Sequence, residues 1–355
     1  MLPFGGIIDI LAIMANSMRK HLSVIVPVLL AAAILACLIL PNLKEMAAVL
    51  RNTQPLWLAV SILFAAGSYT FMSLMLWDAL ILLKHHIKFI PTAAITLVST
   101  VVNYFVSSAG ASGFITRVHL LEKRGVPYGS CVTSSVVITV LIYVSLAAIV
   151  AGGLILRFVQ SPSFGRTFWE GLIGIAAVLG IATAFVVLFF NERLRMRWGR
   201  KIFVLVNKIV YYFSRKRLIP YEQFKSFQEQ LDSGISLVYE HADHLPRQLF
   251  FVFADWFCNM FVLYFAFKAV GVSMTMPQLI IGFAIGMLMT VIPILPGGMG
   301  AMEAAMTASF VSMGLDKASS IAASLIFRIF YYIMPGIMSV FVFWWLKTSE
   351  RKNYQ

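Results

Sequence analysis

The sequence predicts an all-α polytopic membrane protein with about six full spans plus two re-entrant helical hairpins in an inverted-topology repeat. Three observations carry this. First, 60% of the 355 residues are hydrophobic and only 12% are charged, where a soluble domain would carry about 25% charge. Second, several apolar runs exceed the ~20 residues that cross a bilayer. Third, two apolar runs are broken beside a charge. One break is Ser107-Ser108-Ala109-Gly110-Ala111-Ser112-Gly113, followed by Arg117. The other is Pro293-Ile294-Leu295-Pro296-Gly297-Gly298-Met299-Gly300, followed by Glu303. Proline removes an amide donor and glycine lets the backbone turn sharply. In lipid, the freed backbone groups survive only against protein or a water-filled cavity.

The chain reads as a single integral membrane domain, 1–355. Residues 1–22 form a cytoplasmic or interfacial N-terminus in which Leu2 to Met14 is apolar but short. Arg19-Lys20-His21 precedes the first span, 23–40, which should act as an uncleaved anchor. A second span over 56–83 ends at the basic loop Lys84-His85-His86-Ile87-Lys88. The first hairpin covers 91–121. Its return limb, Phe114 to Leu121, would rise only ~12 Å as a helix, against ~30 Å of hydrocarbon. Spans over 130–156 and 168–190 follow. The segment 191–247 is basic, cytoplasmic and amphipathic; within it, 193–217 should lie against an anionic leaflet. A fifth span covers 248–270, the second hairpin 277–313, and the last span 318–346, with Arg328 inside it and Pro335 as an expected kink.

Orientation follows from charge. The N-terminal flank, the 84–88 loop, the turn Glu122-Lys123-Arg124-Gly125, the 191–247 block and the C-terminus all fall on one side, which places both termini in the cytoplasm. The net charge of +13 is accounted for by these flanks and does not require nucleic acid. The two broken elements share a Gly-x-x-Gly spacing, Gly110/Gly113 and Gly297/Gly300, and each reaches a glycine turn, Gly125 or Gly314. Two repeats, 55–157 and 248–346, are therefore expected, with hairpins entering from opposite faces.

Glu303 and Arg328 are the costliest charges. A charge at the bilayer centre costs about 2.5–3.5 kcal/mol on insertion scales, so it should face a cavity or a partner. Arg328 either grips a lipid phosphate through its planar fork or forms a structural ion pair with Glu303 or Asp255; both hold if substrate displaces the carboxylate. Arg117 is a second headgroup contact or a snorkelling arginine. Asn103 should bond backbone freed by the hairpin, or else touch substrate. Asp255 and Asn259, four apart on one helix face, line the same cavity or form a satisfied polar pair. Gly110, Gly113, Pro293, Pro296, Gly297, Gly298 and Gly300 build the hairpins without a ligand role. Cys37, Cys131 and Cys258 lie in apolar runs as packing residues. The sequence carries no metalloprotease, P-loop, nucleophile-elbow or dinucleotide motif, so no enzymatic activity, cofactor or metal is expected.

Pro293-x-x-Pro296-Gly297-Gly298-x-Gly300-x-x-Glu303 resembles the lysylphosphatidylglycerol synthase transmembrane-region family, the flippase-like group. Asn103, Ser108-x-Gly110-x-x-Gly113-x-x-x-Arg117 and Gly125-Val126 resemble that family's N-terminal half, and Arg328 sits where a late arginine is expected. The resemblance covers nearly the whole chain. Many members carry proline and glutamate in the first motif, where this chain has Ser108 and small neighbours. The resemblance implies a translocase for a polar-headgroup lipid, of aminoacyl-phospholipid, glycolipid or polyprenyl-linked type. Two-part members add a soluble aminoacyl transferase domain. With the chain ending at Gln355, this protein is expected to move a lipid made by another enzyme, in a bacterial inner membrane. The alternatives are a secondary transporter of a small anionic or zwitterionic solute, or a non-transporting partner of a glycosyltransferase.

Overall fold

The computed structural model describes residues 43–106, 111–160, 166–214, 221–290 and 298–352. The expected span 23–40, the N-terminal flank, Cys37, Gly110, Pro293, Pro296 and Gly297 lie outside them. Among the described residues all regular structure is helical. Four stretches of the described residues are long and apolar enough to cross a bilayer: Pro55–Leu82, Tyr128–Gly153, Ala242–Ala269 and Lys317–Leu346. The protein is an all-α polytopic membrane protein.

The chain runs through α1 (Leu43–Arg51), α2 (Pro55–Leu82), α3 (Phe89–Phe105), α4 (Ala111–Glu122), α5 (Tyr128–Gln160), α6 (Arg166–Phe190), α7 (Glu192–Ser214) and α8 (Tyr221–Glu240). It continues through α9 (Leu245–Ala269), α10 (Met276–Thr290), α11 (Ala301–Ser312), α12 (Lys317–Arg328) and α13 (Met334–Lys352). The sequence reading had no element at α1. Its Val49 packs against Ala318 and Ile321 of α12.

Antiparallel α2 and α9 form the central seam. The Gln54 amide donates to Ala269 O at 2.9 Å, Ser61 Oγ donates to Val262 O at 2.9 Å, and Ser68 Oγ donates to Asp255. On each helix these positions recur every seventh residue, the repeat that keeps one face turned to its neighbour in a left-handed coil. Aromatic pairs fill the gaps: Trp57 stacks on Phe265 at 5.5 Å and Phe64 on Phe261 at 5.3 Å. At the far end buried Asp78 pairs with Arg247 and accepts from Gln248 Nε2 at 3.0 Å. His244 Nδ1 lies 3.5 Å from Asp78 but 2.8 Å from Arg247 Nη2.

Each seam helix leads into two short helices packed on one another, α3 with α4 and α10 with α11, and then into a long one. α3 has 17 residues, α10 has 15, and α4 and α11 have 12 each. Twelve residues rise ~18 Å, short of the ~30 Å hydrocarbon core. The long helix of each part reaches the short pair of the other, α5 against α10 and α13 against α3. α2, α4, α9 and α11 also end alike. The second residue past each cap donates back five positions: His85 to Leu80, Val126 to Leu121, Val272 to Phe267 and Leu315 to Phe310, at 2.8–3.3 Å. That closure needs a left-handed residue. Gly125, Gly271 and Gly314 supply it at φ 80°, 81° and 86°, whereas α2 uses Lys84 at φ 61°.

The expected kink at Pro335 takes the form of a π-helical turn, Ile329–Ile333, between α12 and α13. Proline cannot donate to the carbonyl four residues earlier, Tyr331 O. The Met334 amide reaches Ile329 O, and the Tyr69 hydroxyl on α2 donates to Tyr331 O at 3.0 Å. Peripherally, α6 packs on α5. Phe189 of α6, Val132 and Val136 of α5, and Leu231 and Ile235 of α8 form one apolar cluster. Cys131 and Cys258 are buried free thiols.

Candidate functional site

Glu303 sits in the first turn of α11, whose N-cap is Gly300 at φ 83°. The Gly300 amide donates to Glu303 Oε2 at 2.7 Å, and Oε1 accepts from Arg328 Nε. Glu303 is 0% exposed and Arg328 5% exposed. The helix N-terminus supplies partial positive charge to the carboxylate, so both the ion pair and the helix end hold it. Arg328, the last residue of α12, lays its guanidinium 4.1 Å from the centroid of the Tyr332 ring. The Tyr332 hydroxyl contacts Met302 Sδ at 3.6 Å. Of the two expected carboxylates, Glu303 and not Asp255 meets Arg328.

Asp255 forms a second polar centre. Its carboxylate accepts from Ser68, whose Oγ lies 3.3 Å from the Tyr331 hydroxyl. Tyrosines link the two centres. Tyr104 of α3 lies 4.4 Å from Tyr332 and 6.2 Å from Tyr331, centroid to centroid, and Tyr331 lies 5.3 Å from Tyr332. Asn259, one turn from Asp255, is buried with Oδ1 unpartnered among the described residues. It does not bond Asp255 through that atom.

Beside this cluster, a groove of about 430 Å³ runs between α2, α3 and α13. Ala66, Ala94, Leu97, Pro335 and Met338 wall it, with Tyr69 at the side toward the cluster. Its rim residues Ile90 and Met338 are 68% and 51% exposed. Tyr69 thus belongs to the apolar groove by its ring and to the polar cluster by its hydroxyl.

The hairpin residues divide differently from the sequence reading. Gly113 lies inside α4; a Cβ there would come within 2.6 Å of Asn103 Cβ and 2.7 Å of Ser99 O. Gly300 lies outside α11 as its cap. Gly113 and Gly300, which hold the same place in the shared spacing, therefore do different work, one packing inside a helix and the other capping one. Gly298 also takes a left-handed φ of 66°. Asn103 Oδ1 is buried with no partner among the described residues, and the break at 107–110 whose backbone it was expected to bond lies outside them. Ser112 Oγ reaches Val102 O at 3.4 Å. Arg117 is half-buried, its Nε enclosed and without a partner among the described residues. No contact joins it to Glu303 or Arg328 among the described residues.

Sequence reasoning missed Ser68, Tyr69, Tyr104, Tyr331 and Tyr332. Tyr331 and Tyr332 follow Arg328 by three and four residues, the spacing of one helix face, which was a usable signal. It also missed Gly282 and Gly286 on α10, a small-x-x-x-small pair against which Phe310 and Met306 of α11 pack.

Residues 24–339 match the family described as the lysylphosphatidylglycerol synthase TM region. The chain belongs to this family. A UPF0104 membrane protein of Methanothermobacter thermautotrophicus is 24% identical over 298 residues, 82% of this chain and 84% of the relative. A second of the same name and organism is 24% identical over 253 residues, 69% and 72% of the two chains. A Pyrococcus horikoshii UPF0104 membrane protein is 23% identical over 94 residues, 26% and 28% of the two chains. These relatives are archaeal. In this lysylphosphatidylglycerol synthase TM-region member, both expected hairpins and the buried pair Glu303–Arg328 fall inside the matched stretch. All the tyrosines of the cluster do as well.

Proposed function

We propose that this protein moves a lipid with an anionic or zwitterionic polar headgroup between leaflets. One observation carries the reading: a buried ion pair and tyrosine cluster lie next to an apolar groove, with Tyr69 common to both. A lipid needs a polar seat for its headgroup and an apolar channel for its chains at one site. A small solute needs only an enclosed chamber. The headgroup phosphate competes with Glu303 for the Arg328 fork, and acyl chains occupy the groove. Ser68, Tyr104 and Asp255 line the onward polar path.

The paired short helices act as re-entrant hairpins in two inverted repeats, 55–157 and 248–346. Three features support this: matching helix order and length, the antiparallel α2–α9 seam, and the reciprocal packing of α5 on α10 and α13 on α3. Both termini face the cytoplasm, and movement of the repeats exposes the site to each side in turn. The protein performs transport and no covalent chemistry, and accepts lipid from a separate modifying enzyme.

The test is proteoliposomes loaded with fluorescent lipids of different headgroups, scored by chemical quenching of the outer leaflet. Lipid movement should be fast for at least one anionic or aminoacylated class. It should fall at least about tenfold in Arg328→Ala, the loss of a charge-assisted hydrogen bond worth about 1.5–3 kcal/mol. Arg328→Lys keeps the charge but loses the fork and should be impaired too. Uptake of a soluble anion without any lipid movement would refute the reading.

A further inference from the structure

A second cavity, of about 640 Å³, lies between α7 and α8, away from the ion pair and groove. Arg197, Arg200, Lys201 and Lys208 line it from α7. Their spacing of three, four and eleven residues puts them on one helical face. Four like charges on one face repel one another. None of the four forms an ion pair with a carboxylate among the described residues, although α8 carries acids. Arg195 takes Asp232, and Glu229 faces Lys225. The remaining wall is mostly apolar, with Leu205 from α7 and Phe224 from α8, and Gln228 as its one amide. The two helices are held together here, Phe203 stacking on Phe224 at 4.5 Å.

The cavity also sits where a bilayer surface should be. α6 ends at Phe190 and α7 begins at Glu192, with only Asn191 between them. Arg195 Nη1 donates to Phe189 O at 2.6 Å, fixing the start of α7 to the end of the apolar helix. A cationic face with an apolar wall at that depth matches a phosphate carrying an acyl chain. A soluble polyanion would use the charges and leave the wall empty.

We propose that this cavity binds one anionic phospholipid of the adjoining leaflet. Its phosphate sits among Arg197, Arg200, Lys201 and Lys208, and a chain lies against Leu205 and Phe224. The site is separate from the translocation path and stands or falls independently of it.

The experiment uses full-length protein in phosphatidylcholine nanodiscs that hold a small fraction of phosphatidylglycerol with a photoactivatable acyl chain. After illumination, labelled peptides are mapped. Label is expected within 196–208 and 221–228 and should saturate with added lipid. Its apparent affinity should fall about fivefold for each cation removed in Arg197→Gln, Arg200→Gln and Lys201→Gln. Arg200→Lys keeps the charge and should label normally, which separates lost charge from lost fold. Leu205→Asp keeps all four cations and should lose the label. The proposal is overturned if the neutralised variants label undiminished, or if a phosphatidylcholine probe labels equally. It is also overturned if inorganic phosphate or an oligonucleotide displaces the lipid.

Discussion

A guanidinium in an apolar span needs compensation from several directions, and Arg328 has a carboxylate on one side and an aromatic face on another. Removing one partner of such a pair costs about 3–5 kcal/mol because the other is stranded, although the intact pair adds little net stability. Pairs of this kind suit a switch better than a strut. Pro335 offers a cleaner test at the same scale. It leaves the Tyr331 carbonyl without its helical donor, and the Tyr69 hydroxyl fills the place. Tyr69→Phe should therefore destabilise by about 1–3 kcal/mol, the cost of an unsatisfied buried acceptor. In a Pro335→Ala background, where the backbone can donate, the same change should cost much less. Thermal unfolding in detergent across the four proteins measures that coupling, and additive losses would refute it. Glu303 and Arg328 were legible because charges stand out in an apolar run. Tyr69 was not, because a tyrosine in a span looks like packing until a neighbouring helix supplies the carbonyl.

Among the elements, long helices were legible, and of the short ones α1 was not. The expected spans 56–83 and 248–270 became α2 and α9 within a few residues, since continuous apolar length admits few alternatives. The hairpin limbs were harder. Gly-x-x-Gly marks both breaks, yet Gly113 packs inside a helix and Gly300 caps one. Spacing alone does not distinguish close approach from a left-handed turn. The end of α2 shows the same limit. Lys84 holds φ 61° in the place where Gly125, Gly271 and Gly314 close the other three helices. A side chain in that conformation costs about 1–2 kcal/mol relative to glycine, partly offset by the backbone entropy that glycine loses on folding. Lys84→Gly should raise stability by up to about 1 kcal/mol, read as a higher melting temperature. A lower one would mean that the lysine makes an interaction of its own.

For the molecule as a whole, α2 and α9 decide which motions are available. Contacts that recur every seventh residue leave two helices tempted to slip by one repeat, ~10 Å along the axis. The serine rungs would tolerate such a slip. The carboxylates forbid it: Asp255 would leave Ser68, and Asp78, already buried, would lose both Arg247 and Gln248. In the proposed transport cycle the halves would therefore pivot about this line and not glide along it. A thiol crosslinker joining cysteines placed at Ser61 and Val262 should leave lipid movement intact. One joining α13 to α3 should arrest it. Arrest by the first link would show that the seam itself opens. Placed this way, buried acids act as detents that convert a sliding pair of rods into a hinge pin.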